Sequence, residues 1–286
     1  MVDCNSMPVL LAICSAVVYG VGDWLGGRSS KQQASLVVAV VGQAVSLVLV
    51  GAVVIVAGTP APGAATWWWA AAAGIVGSWG IVGLYHGLSH GDVSVVAPVS
   101  AVVGAVLPAV VGIAQGERPG VIALVGILLA VAAVALISGA LGTHQHNTPR
   151  HIVVLAVGVG ACFGTLFVFL DRTDGDSGMW PLVIARLASV PFLLSVAGLT
   201  RTGVVRERAS LLIAVTAGVF DMGANLLYLV AVRGGMMSIV AVVASLYPAS
   251  TVALAFVVDK ERIGRWQTIG LVIAAAALVL VSLSRS

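Results

Sequence analysis

Charged residues are scarce in this sequence. Of its 286 residues only 9% are charged and 60% are hydrophobic, with a mean hydropathy of +1.11. No Asp, Glu, Lys or Arg occurs between Lys31 and Asp92. So little polar surface cannot cover a soluble globule of this size. The scarcity of charge therefore excludes a soluble enzyme, a nucleic-acid-binding protein and a disordered chain, and it predicts an integral membrane protein.

Several signatures of catalysis and cofactor binding are missing as well. The three cysteines show no CxxC spacing, which argues against a zinc site or a disulfide framework. The chain has no GxxxxGK[ST] loop for nucleotide phosphates and no nucleophile–base pair within its apolar runs. We therefore expect no enzyme activity, no cofactor and no metal site.

Long apolar runs make up most of the chain. They predict ten membrane spans, at about 8–27, 35–57, 67–86, 92–114, 120–141, 151–170, 179–199, 210–231, 236–257 and 265–283. Trp67, Trp180 and Trp266 open the third, seventh and tenth runs, as interfacial rings do. The predicted fold is an all-α integral membrane protein with ten transmembrane helices. Because no room is left for a domain outside the membrane, any function lies within the bundle.

A polar break divides the chain into two halves of five predicted spans. The stretch GTHQHNTPR predicts a linker at 142–150, between a first repeat at 8–141 and a second at 151–283. Because each half has an odd number of spans, the second half enters the membrane from the opposite side. The halves are thus predicted to form an inverted repeat, which is the architecture of alternating-access transporters.

The halves also align with each other in sequence. A shift of 144 residues places Gly74 on Gly218 and Tyr19-Gly20 on Phe163-Gly164. The same shift places the pair Glu117-Arg118, after the fourth span, on Glu261-Arg262, after the ninth. Gly and Ala matches are common in so biased a composition, but an ungapped Glu-Arg match in the same loop indicates an internal duplication.

With these features the chain resembles the EamA family of the drug/metabolite transporter superfamily, each half being one EamA repeat. Glu117 and Glu261 match the acidic residue that closes the fourth helix of such a repeat. Arg186 matches the arginine often found in the second helix, whereas the first half carries Gly42-Gln43 at the equivalent place. A substrate site that uses a basic residue from both repeats is therefore not expected.

The resemblance implies gradient-driven solute transport, commonly export, without ATP. We therefore predict a secondary transporter in the cell membrane that exports a small polar or amphipathic metabolite by alternating access. The expected partners are this substrate, membrane lipid and a proton as coupling ion, but no nucleic acid. The alternatives are a lipid-substrate translocator of the same fold and a non-transporting membrane scaffold or accessory subunit. Substrate, direction and oligomeric state stay open.

Proline and serine recur in the fourth span of each half. Pro98 in span 4 and Pro248 in span 9 predict interrupted helices, which in corresponding places of two repeats indicate a binding site at the membrane midplane. Ser94, Ser238 and Tyr247 accompany them as candidate cavity residues. The alternative is that these small residues only permit close helix packing.

Two further groups of polar residues lie inside apolar spans. Arg186 lies near the middle of span 7, where a lone Arg costs about 2.5–3.5 kcal/mol on insertion scales. Asp221, Asn225 and Tyr228 share one face of span 8, and Tyr19 and Asp23 share one face of span 1. We predict that these six residues line a central cavity, with Arg186 facing an anionic group and Asp221 carrying a proton. The alternative is a permanent structural Arg186–Asp221 bridge.

The orientation of the chain is predicted differently by two criteria. The resemblance implies cytoplasmic termini, which places nine Lys and Arg residues outside and four inside. The positive-inside rule favours the opposite orientation, with external termini. The orientation therefore stays open.

Overall fold

The computed structural model describes residues 7–89, 93–137, 150–203, 207–258 and 264–283. Within these ranges all regular structure is helical. The α-helices are α1 (Met7–Ser30), α2 (Ser35–Ala57), α3 (Ala64–Ser89), α4 (Val93–Ala114), α5 (Val121–Ile137), α6 (Arg150–Asp171), α7 (Trp180–Leu199), α8 (Arg208–Gly234), α9 (Met237–Ala244), α10 (Tyr247–Val257) and α11 (Arg265–Leu283). A short 3-10 turn at Gly175–Ser177 precedes α7.

Each predicted span coincides with a helix, except that the ninth is divided into α9 and α10. Among the described residues, six helices are long and apolar enough to cross a membrane, namely α1, α2, α3, α6, α7 and α8. The other helices carry shorter apolar stretches of 10–17 residues. The all-helical prediction is confirmed, and the chain is a multi-pass membrane protein.

The two proline-containing spans differ. The prediction of an interrupted helix is wrong for span 4, because α4 continues through Pro98 and Pro108. Neighbouring groups in a packed membrane bundle can replace the hydrogen bond that a proline removes. In span 9 the interruption is present, since α9 ends before Ser245 and Pro248 occupies the second position of α10. Proline is tolerated there, because the first N–H groups of a helix have no hydrogen-bond acceptor within the helix.

Helix contacts recur when the two halves are exchanged. Helix α1 packs on α8 as α6 packs on α3, and α2 packs on α8 as α7 packs on α3. Equivalent helices also meet each other, as α2 meets α7 and α5 meets α11. This is the pattern that a two-fold axis between the halves produces. The duplication seen in the sequence is therefore also present in the packing.

Two repeat-related glycines bring backbones together at these crossings. A Cβ atom on Gly74 would overlap the carbonyl of Ala185. On its equivalent Gly218, a Cβ atom would lie 2.7 Å from Cα of Gly42. The α3–α7 and α8–α2 crossings therefore both require a residue without a side chain.

We predict that Gly74→Ala and Gly218→Ala each lower the free energy of unfolding by about 1–3 kcal/mol, because the added methyl group separates packed backbones. Gly51→Ala is the matched control, since no atom lies within 4 Å of its Cβ position. Thermal unfolding of detergent-purified protein measures the effect. Equal melting temperatures for Gly74→Ala and Gly51→Ala would contradict the described crossing.

Candidate functional site

A buried ion pair lies near the middle of the bundle. Arg186 of α7 is only 4% exposed, and its Nη2 lies 2.9 Å from Oδ2 of Asp221 on α8. Asn225, one turn along α8, donates from Nδ2 to the main-chain oxygen of Asp221 at 2.8 Å and to its Oδ1 at 3.3 Å. Both carboxylate oxygens are thus engaged, one by the guanidinium and one by the amide.

Helix α2 adds neutral polar groups beside this pair. Ser189, one turn after Arg186, donates a hydrogen bond of 2.8 Å to Oε1 of Gln43. Ser46 donates at 3.1 Å to the carbonyl oxygen of Gly218 on α8. The candidate residues predicted from the sequence did not include Gln43 or Ser46, although two polar residues three positions apart in an otherwise apolar helix share a face and are a usable signal.

The ion pair borders a cavity formed by both halves of the chain. Its interior volume is about 50 Å³, which is space for a few water molecules. Its polar lining consists of Tyr19, Asp23, Gln43, Ser100, Arg186, Asp221, Asn225, Ser245 and Tyr247. Six of the residues predicted from the sequence are therefore brought together: Tyr19, Asp23, Arg186, Asp221, Asn225 and Tyr247.

At several positions of the cavity lining, one repeat has a polar residue where the other repeat has an apolar one. Several polar lining residues have repeat equivalents, 144 positions away, that also line the cavity but are apolar. The pairs are Asp23 with Phe167, Asp221 with Gly77, Asn225 with Ile81, Ser245 with Ala101 and Tyr19 with Phe163. Because the two halves have diverged at these positions, the cavity is amphipathic.

Aromatic rings form much of one wall. The ring centroid of Tyr19 lies 6.4 Å from that of Phe167 and 6.4 Å from that of Tyr247. Tyr228 stacks on Phe167 with centroids 4.2 Å apart and is completely buried behind it. The prediction that Tyr228 lines the cavity is therefore corrected, because Phe167 stands between its ring and the cavity.

The remaining candidates lie elsewhere. Ser238 is at the first turn of α9 and Pro248 at the first turn of α10, and neither belongs to the cavity lining. The side chains of Ser94 and Pro98, whose backbone is part of α4, lie outside the described residues, as do Glu261 and Arg262.

Glu117 contacts the opposite half of the chain. Its Oε1 accepts a hydrogen bond of 2.7 Å from the main-chain N–H of Met237, and its Oε2 accepts one of 2.9 Å from that of Ser238. These N–H groups open α9 and have no partner within the helix, and a carboxylate there also favours the helix dipole. A loop residue of the first half thus caps a helix of the second, while neighbouring Arg118 is exposed.

Further hydrogen bonds join loops at the same end of the bundle. The indole N–H of Trp180 donates to the carbonyl of Thr59 at 2.9 Å, and the main-chain N–H of Asp174 donates to Thr66 at 3.1 Å. Arg233 donates to the Ser177 hydroxyl at 3.0 Å. At the opposite end, residues of α1, α3 and α6 border a cleft of about 670 Å³.

The sequence profile of the EamA-like transporter family matches residues 6–139 and again residues 150–283. The chain belongs to the EamA-like transporter family. No curated protein matches it. Among solved structures 21 chains match. One of them, a protein crystal structure, is 14% identical, covers 98% of each chain and superposes with a TM-score of 0.75, which shows that the fold is shared.

Family membership confirms the resemblance and the internal duplication, since one EamA profile matches twice. It also accounts for the kind of site observed. An EamA-like chain belongs to a family of transporters, so a cavity with a buried charge pair between two repeats is a candidate solute site.

We predict that Arg186→Met alone destabilises the EamA-like fold by about 3–5 kcal/mol, because the Asp221 carboxylate is left without its cation. The double variant Arg186→Met with Asp221→Leu should recover most of this loss, since no unpaired charge remains. Thermal unfolding of the two single variants and the double variant measures the coupling. Additive losses would show that the two side chains do not interact.

Proposed function

We propose that this chain is a secondary transporter that moves a small polar or amphipathic metabolite through the Arg186–Asp221 cavity. The observation that carries the proposal is that both repeats line this cavity and that the second repeat places a charge pair in it. Intramembrane charges are costly and generally mark substrate or ion pathways. The amphipathic lining suits a solute with both polar and apolar parts.

Alternating access is the proposed mechanism, carried out by ten crossings in two inverted repeats. The repeats at 8–141 and 151–283, with the linker at 142–150 between them, would rock about the cavity. The Glu117 end is held together by hydrogen bonds between loops, while a cleft lies at the other end.

The proposal also includes the direction of transport, the membrane in which the protein lies and the coupling ion. We propose export across the cell membrane, with a proton as the coupling ion and no ATP. Asp221 is the proposed proton carrier, in a cavity whose only described cation is Arg186. Protonation of Asp221 would weaken its ion pair with Arg186 and so link proton binding to the separation of α7 and α8.

The decisive experiment is an untargeted comparison of medium and cell contents for cells that express the wild-type chain or the Arg186→Met/Asp221→Leu double variant. Since the double variant should fold, we expect a compound that crosses the membrane only with wild-type protein. Gly51→Ala, at matched membrane abundance, serves as the control and should behave as wild type.

Two other results contradict the proposal in different ways. Movement of the compound by both proteins would make the ion pair purely structural. If no compound moves, and the double variant leaves the phenotype of the expressing cells unchanged, a scaffold or accessory subunit is favoured instead.

We also predict that Glu117→Gln loosens the end of the bundle at which Glu117 caps α9. The reason is that an amide side chain cannot accept from both N–H groups as the carboxylate does. Ser238→Cys, in a background without native cysteine, provides the reporter, since the buried Ser238 hydroxyl has no hydrogen-bond partner among the described residues. Its reaction with a maleimide should be several-fold faster in the Glu117→Gln protein. Equal rates would show that Glu117 does not hold this end.

A further inference from the structure

The cavity lining has more acidic side chains than basic ones. Its described lining contains one cation, Arg186, and two carboxylates, Asp221 and Asp23. Arg186 and Asp221 neutralise each other at 2.9 Å. Within the described part of the chain, no cation and no hydrogen-bond donor contacts the Asp23 carboxylate. The Asp23 carboxyl group is therefore the acidic group left for a ligand to engage.

Tyrosine rings share the cavity lining with Asp23. Tyr19 lies one turn earlier on α1, and Tyr247 of α10 lies 6.4 Å from it, centroid to centroid. Tyr85 of α3 packs its ring against Gly26, one turn after Asp23. A carboxylate that shares a cavity with tyrosine rings suits an organic ammonium group, because ring faces attract cations while the carboxylate supplies the opposite charge.

The apolar part of the cavity lining suits the rest of such a ligand. Phe163, Leu166 and Phe167 line the same cavity and offer apolar surface. An inorganic cation would gain nothing from that wall, and an anion would meet the Asp23 carboxyl group with Arg186 already paired. A ligand with a cationic group and an apolar body satisfies both sides.

We propose that the cavity binds an amphipathic organic cation, with its ammonium group between Asp23 and the rings of Tyr19 and Tyr247 and its apolar part against Phe163 and Phe167. This proposal rests on the proposed transport function and specifies its substrate class. It differs from the expectation that Arg186 receives an anionic group. In the interior volume of about 50 Å³ the ligand has no room, so binding requires the helices to separate.

The test is equilibrium binding to the purified full chain in lipid nanodiscs, read as a ligand-induced rise in melting temperature. The probes are choline, tetraethylammonium and tetraphenylphosphonium, with 3,3-dimethyl-1-butanol as the neutral analogue of choline and benzoate as an anion. We expect at least one cation to stabilise the wild-type protein and neither the neutral compound nor the anion to do so.

The variants locate the site. Asp23→Asn should weaken cation binding by about tenfold or more. Asp176→Asn, which removes an exposed carboxylate in the 3-10 turn, is the matched control and should bind as wild type. Tyr19→Leu should weaken binding and Tyr19→Phe should retain it, and this pair keeps the test informative if Asp23→Asn does not fold.

The possible failures are distinguishable. If no cation binds, or if Asp23→Asn and Asp176→Asn bind equally, the cation site is overturned whether or not the chain transports another compound. If cations bind at Asp23 but liposomes containing the protein do not move them, the transport function is overturned and the site stands.

Discussion

A guanidinium in the middle of an apolar helix has to find an anion, and the centre of this bundle is organised around that requirement. Arg186 meets Asp221 on a different helix, so the two side chains link α7 to α8, whose backbones do not pack closely on each other. Helix α2 packs against both and satisfies further polar groups through Gln43 and Ser46. Close passage of α2 past α8 in turn needs a glycine such as Gly218. The charge pair, the hydrogen bonds of α2 and the small residues at the α2–α8 crossing thus hold three helices together.

Much of this arrangement is predictable from local sequence. Apolar runs place the helices within a few residues, because membrane thickness and charge exclusion act on each segment separately. The Arg186–Asp221 pair is predictable because both charges are expensive in isolation. Contacts between distant segments are not predictable in this way. Nothing in the loop around Glu117 indicates that its carboxylate reaches α9, since its partners are backbone N–H groups that every residue has.

The same limit explains the errors. Pro98 and Pro248 are alike as residues, but only the second lies at a helix start, and its tertiary surroundings decide this. Tyr228 shares a helix face with Asp221, yet the ring of Phe167 covers it. The amphipathic character of the cavity depends on pairs of residues that are far apart in the sequence. It becomes visible only when residues such as Asp23 and Phe167 are known to border one space.

The capping of α9 by Glu117 has a consequence for how such a protein can be divided. Each half carries its own glutamate, but the described glutamate serves a helix of the other half. Without the second half, the first half would keep an acceptor without its donors, and without the first half, the second half would keep an uncapped α9. Each half therefore needs the other as a neighbour at this contact. Fusion into one chain supplies that neighbour permanently, and it allows one copy to lose polar groups that the other retains.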